Sequence, residues 1–187
     1  AGHSWGGDVA LEHAVAHPGA VRGLALVDGG TIEISGTPEF TLEHAKDVMA
    51  PPDFTGTTLD QFVEMVRSRP FGRDMSRDIE AIVLANFEVL EDRTIRAHLS
   101  RSNHMQIIEA FWHHRPSELY PSVKCPVLLM PARHPDAQTP PVAMRFDKEE
   151  TISIAAERLP VSETVWLEDS IHDVPIQRPE LVAEVIG

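Results

Sequence analysis

The sequence holds one cysteine, Cys125, so no disulfide can close within the chain and nothing in it requires an oxidising compartment. A reducing, cytoplasmic setting is the default expectation. It lacks any apolar run near the roughly 18 residues that a membrane-spanning helix needs. Positive charge is scarce as well: 16 Lys and Arg stand against 29 Asp and Glu, a formal charge of -13. That balance repels phosphate backbones and anionic bilayers, so neither nucleic acid nor a membrane is expected as a partner. The first residue is Ala1 rather than Met, and the most informative motif follows at once. An upstream portion, with any targeting signal, is therefore expected to precede these residues.

What is present is ordinary globular material, 42% hydrophobic and 24% charged over 187 residues. Residues 8–17 carry Val9, Ala10, Ala14 and Val15 at helical spacing, and Pro18-Gly19 ends the pattern. VRGLALV, residues 21–27, is a short apolar run between turn signals, as suits a parallel strand buried on both faces. From about residue 31 to 120 the pattern changes to amphipathic stretches at 59–66, 75–90 and 94–111, read as a helical insertion. Strand character returns at 126–130 (PVLLM) and 164–167 (TVWL), with helices expected at 152–159 and 179–186. Strands alternating with helices imply a mostly parallel α/β sheet with right-handed crossovers.

Gly2-His3-Ser4-Trp5-Gly6 fits GxSxG, which places a serine on a sharp strand-to-helix turn with glycines leaving room for close approach. At such a turn the backbone N–H of the next residue, here Trp5, can donate to a developing oxyanion. Serine alone is a poor nucleophile, and a histidine, with a reference pKa near 6.5, can take its proton and later return it. His172, in the loop after TVWL, has the chain order for that base.

Together GHSWGG, PGAVRGLALVD, CPVLLMPAR and SIHDVPIQRPELVAEVI resemble successive landmarks of the α/β-hydrolase superfamily. The resemblance implies a core from residues 1–30 and 121–187, with helices on both faces of the sheet, lacking the family's N-terminal strands. A helical lid at 31–120 would shape substrate choice. It implies Ser4 as nucleophile and His172 as general base. It also implies a serine mechanism rather than the aspartate one of the dehalogenase and epoxide-hydrolase branches. The third member is open. Family enzymes usually carry the acid just after the strand matching PVLLM, near His134 or Pro135, where no carboxylate stands; Asp136 lies close by. Some capped members resemble this chain in placing the acid at the end of the earlier strand, where Asp28 stands. Asp28 is the first candidate and Asp136 the alternative, while Asp173 reads as a local loop partner. Capping of the Gly29-Gly30 turn is the competing use of Asp28.

The expected function is a serine hydrolase that passes through an acyl-enzyme on an ester, thioester, amide or carbon–carbon bond of a small apolar substrate. Carboxylester-like chemistry is the simplest case. A non-hydrolytic small-ligand receptor on the same fold, or an inactive fragment, are the alternatives. No cofactor or metal is expected: His13 and His17 share a helical spacing, but no third ligand completes a zinc pattern. Phe40, Phe54, Phe62, Met65, Phe71, Met75, Phe87, Met105, Phe111 and Trp112 are candidates for an apolar pocket, although such residues more often form ordinary core. His113-His114 read as structural or surface groups.

Overall fold

The LALV run is the middle of a parallel sheet in the computed structural model, which describes residues 1–36, 40–68, 76–133 and 147–187. As strand β2 (Leu24–Val27) it is buried along its whole length. It pairs with β1 (Gly2–His3) on one side and β5 (Val127–Met130) on the other, Leu24 facing Val127 and Val27 facing Met130. β7 (Ser162–Thr164) joins β5, so the order is β1-β2-β5-β7 with every pairing parallel.

Alternation along the strands divides the apolar run between two cores. Leu24, Leu26, Val127 and Leu129 pack with Leu11 and Ala14 of α1 (Trp5–Ala16) and with Ile152 and Ala155 of α7 (Lys148–Arg158). Ala25, Val27 and Met130 pack with Val174 of α8 (Val174–Gln177) and with Leu181, Val182 and Val185 of α9 (Pro179–Ile186). Helices thus cover both faces, which is why these strands read as continuous apolar runs rather than alternating ones.

Two expectations about elements are corrected. TVWL is not one strand: β7 ends at Thr164, and β8 (Leu167–Glu168) pairs in a separate parallel ladder with β6 (Ala132–Arg133). The cause is Pro131, which has no N–H to donate and interrupts the ladder between the two pairs. Its carbonyl still accepts from Leu167 N–H at 2.9 Å. The second correction lies in 75–111, where helices alone were expected. Here α4 (Arg77–Leu84) gives way to an antiparallel hairpin of β3 (Phe87–Val89) and β4 (Ile95–Ala97) before α5 (Arg101–His113). Asp92 makes the turn, its Oδ1 accepting from Thr94 N–H at 2.9 Å, and Arg93 takes a φ of 64°. Phe87, Val89 and Ile95 sit at period two, a signal too short to stand out against the flanking helical spacing.

The described residues form two compact units, Ala1–His44 with Ala110–Gly187, and Ala45–Glu109. The second holds the end of α2 (Leu42–Val48), then α3 (Leu59–Arg67), α4, the hairpin and most of α5. Its α3 starts with a capping box between Thr58 and Gln61. Its core centres on Phe62, Val66 and Ile95 with Phe54 and Phe87 against them. The three phenylalanine rings meet at centroid distances of 4.5 to 5.4 Å. Phe62 therefore serves as core, Phe54 and Phe87 pack against it and also line a cavity with Pro51, Leu90 and Ile95, while Phe71 and Met75 lie outside the described residues. Among the described residues no helix is long and apolar enough to cross a membrane.

Candidate active site

The site is built where β1 turns into α1. Ser4 sits on that turn with φ 53° and ψ -132°, a backbone conformation an L-residue adopts only under constraint. Its N–H donates to Val27 O at 3.1 Å and its carbonyl accepts from Gly7 N–H at 2.8 Å, which hold the turn in place. The glycines divide their duties differently from the GxSxG pattern. A Cβ at Gly2 would lie 2.1 Å from Gly6 O, one at Gly29 2.1 Å from Ser4 O, and one at Gly7 2.9 Å from Gly29 C. At Gly6 a Cβ would meet nothing within 4 Å, so the motif's last glycine does not supply the close approach; Gly2, Gly7 and Gly29 do.

Two further turns bring partners to Ser4. Asp28 follows the end of β2, also at positive φ (42°), with its carboxylate buried to 5% exposure. Oδ2 of Asp28 accepts from His172 Nδ1 at 2.7 Å, and His172 Nε2 lies 2.9 Å from Ser4 Oγ. A carboxylate can only accept, so Nδ1 carries the ring proton and Nε2 is left to accept from the serine hydroxyl. The other oxygen, Oδ1, accepts from Ala132 N–H at 2.9 Å and from Lys148 Nζ at 2.8 Å. The carboxylate thus caps the start of β6 across the sheet. Asp173 begins α8, its carbonyl accepting from the N–H groups of Ile176 and Gln177. Asp136 lies outside the described residues, as do His134 and Pro135.

The loop that carries His172 is tied at several points. Gln177 Oε1 accepts from Ile171 N–H at 2.8 Å, and Arg178 Nη1 donates to Glu168 O at 2.8 Å. His3, the variable residue before the serine, donates from Nε2 to the carbonyl of His172 at 2.7 Å. Trp5 opens α1, so its N–H has no acceptor within the helix and is free to face a ligand atom. The Trp5 ring packs edge-on against Phe111 and His114.

Electrostatics follow from these contacts. Burial pushes the Asp28 carboxyl up, but the bond from His172, the ammonium of Lys148 and the Ala132 N–H together hold it below its ordinary value. His172 is raised above the ordinary histidine value, first by its bond to Asp28; burial opposes this, and the charges of Asp28 and Asp173 add to it. Among the described residues no three His, Cys, Asp or Glu side chains gather to hold a metal ion. His13 and His17 merely lie ring to ring at 4.8 Å.

Lys148 and His3 were not singled out in the sequence. For Lys148 a signal existed: it is the one cation in Asp147-Lys148-Glu149-Glu150, a stretch that otherwise has the charge a helix start favours. For His3 none did, since the second position of GxSxG is free.

Many solved structures are similar in fold to this chain. They include E-2-(acetamidomethylene)succinate hydrolase, 17% identical, with a TM-score of 0.69 over 99% of this chain and 63% of that one. A marine microorganism esterase is 19% identical, with a TM-score of 0.65 over 99% of this chain and 67% of that one. A peroxisomal α/β-hydrolase from Saccharomyces cerevisiae is 17% identical, with a TM-score of 0.70 over 99% and 50%. This chain has the α/β-hydrolase fold. It spans 63% of the length of the first of those proteins. No protein-family model and no curated protein matches it. Within this fold β1 supports the serine turn, Asp28 follows β2, and the loop after β8 brings in His172.

Proposed function

We propose that the chain carries the catalytic residues of a serine hydrolase, with Ser4 as nucleophile, His172 as general base and Asp28 as the acid that orients it. The carrying observation is the unbroken path from Ser4 Oγ to His172 Nε2 at 2.9 Å and from His172 Nδ1 to Asp28 Oδ2 at 2.7 Å. Asp28 holds the imidazole in the Nδ1–H tautomer and stabilises the cation it becomes.

In this reading Ser4 Oγ attacks the carbonyl carbon of an ester, thioester or amide while its proton passes to His172 Nε2. The carbonyl oxygen becomes an oxyanion that accepts from the Trp5 N–H. The tetrahedral species collapses, the scissile bond breaks, and His172 gives the proton to the leaving group. Water then attacks the acyl-serine, His172 taking its proton and returning it to Ser4 Oγ, and a carboxylic acid leaves. A carbon–carbon bond flanked by a carbonyl fits the same sequence, the leaving group being a stabilised carbanion. The hydrolase and esterase among the similar structures support this class of chemistry, and a small apolar substrate is its expected object.

The test is covalent. The full-length protein should be labelled by a fluorophosphonate at Ser4 and should turn over p-nitrophenyl acyl esters, and Ser4→Ala should abolish both. Turnover that survives Ser4→Ala, or absence of labelling in the folded protein, removes the reading.

A further inference from the structure

A fourth side chain completes the row. Lys148 Nζ donates to Asp28 Oδ1 at 2.8 Å and to the carbonyl of Ala132 at 2.9 Å, while Ala132 N–H donates to the same Oδ1. Ammonium and carboxylate form an ion pair in which the carboxylate is 5% exposed and the lysine side chain 37%. Lys148 is also the first residue of α7, where a cation works against the helix dipole. The helix start is otherwise acidic, with Asp147 accepting from the N–H groups of Glu149 and Glu150. Arg133 adds a tie to this turn by pairing with Glu149 at 2.8 Å while stacking over Trp166.

We infer that Lys148 is a positioning residue of the site: it clamps Oδ1 of Asp28 so that Oδ2 faces His172, and it shares the carboxylate's negative charge with the imidazole. This rests on Asp28 being the acid of the proposed hydrolase. A half-exposed imidazole facing a buried carboxylate at 2.7 Å is favoured as the cation, so without a counter-charge beside Asp28 it would become a free base only at higher pH. Lys148 supplies the opposing charge. The other groups that face His172 are Ser4 and His3 from the serine turn and its neighbour Asp173; of these only Asp173 carries a fixed charge that favours the imidazolium.

The decisive experiment compares Lys148→Met, Lys148→Gln and Lys148→Arg in the full-length protein. Two readouts are taken: the NMR titration of the His172 ring in histidine-labelled protein, and the pH profile of kcat/KM for an acyl ester. Removing the cation favours imidazolium, so in Lys148→Met the His172 midpoint should rise by about 0.5–1 pH unit. The acid limb of kcat/KM should rise with it. Lys148→Gln keeps donors while losing the charge and should show the same rise, and it serves if Lys148→Met does not fold. Lys148→Arg should stay within about 0.2 unit of the parent. A folded neutral variant whose His172 midpoint does not move overturns the inference. The NMR midpoint needs no turnover, so it reports on Lys148 even if Ser4→Ala shows that the hydrolase reading is wrong.

Discussion

Buried charge is what separates the two compact units. In Ala45–Glu109 the ion pairs lie at the surface: Arg93 with Asp60, Arg96 with Glu88 and Arg67 with Glu80. In the other unit the carboxylates Asp28 and Asp8 are buried, and each faces a histidine. The difference teaches where chemistry can be done. An exposed pair is screened by water and changes little when broken. A buried carboxylate acts strongly on its partner because little solvent intervenes. The Ala45–Glu109 unit is therefore held by phenylalanine packing with its charges at the surface, whereas the other unit, beside its exposed Arg133 pairs, commits two buried carboxylates to particular neighbours.

Breaking that contrast gives a graded set of expectations. The largest effect falls on the buried carboxylate of the site: Asp28→Asn should cut ester turnover by roughly 10⁴-fold, because the amide no longer fixes the Nδ1–H tautomer. The same change removes the first cause that raises His172, so the acid limb of kcat/KM, which should lie above the ordinary histidine value in the parent, should fall toward it. Steady-state kinetics between pH 5 and 9 check both points. In the phenylalanine-held unit, Phe62→Ala should cost about 3–4 kcal/mol in a denaturant melt, since Phe62 is buried between Phe54 and Phe87.

The second buried carboxylate sharpens the contrast further. His114 lies 3.2 Å from Asp8 and 3.2 Å from Glu12, an ion pair with Asp8 that lacks hydrogen-bond alignment. Burial pushes this imidazole down, but Asp8 and then Glu12 outweigh it, so His114 is raised. Its folded value lies above its unfolded one, so its stabilisation is fully present below about pH 6.5 and is lost as pH rises through the raised value. His114→Ala should therefore cost about 3 kcal/mol at pH 6. Melts at pH 9 should show a smaller loss. The smallest effect belongs to the surface pairs: Arg96→Ala with Glu88→Ala should change stability by less than about 0.5 kcal/mol. A larger loss there than at His114 would invert the comparison.

Several of these residues are legible in the sequence alone. Ser4 stands out because a serine between glycines at a strand-to-helix junction is a local pattern, and His172 because strand order places it late. The two-sided burial of LALV was legible from its unbroken apolar run. The hairpin at Phe87–Ala97 was not, since three-residue strands leave too few positions for a period to register. His114 read as structural or surface, and only packing shows it enclosed between Asp8 and Glu12.

What the sequence determined by itself is whatever is encoded locally: the strained serine turn through its glycines, the parallel strands through their apolar runs, and the helix starts through Thr58, Ser76 and Asp147. Tertiary structure alone decided which carboxylate meets His172 among the described residues and which cation meets that carboxylate. The contacts of Asp28 run to Ala132, Lys148 and His172, more than a hundred residues away. No spacing rule reaches so far. Register does: β2 lies beside β5, so the residue that ends one strand faces the backbone that follows the other, and a buried oxygen there must find its donors across the sheet.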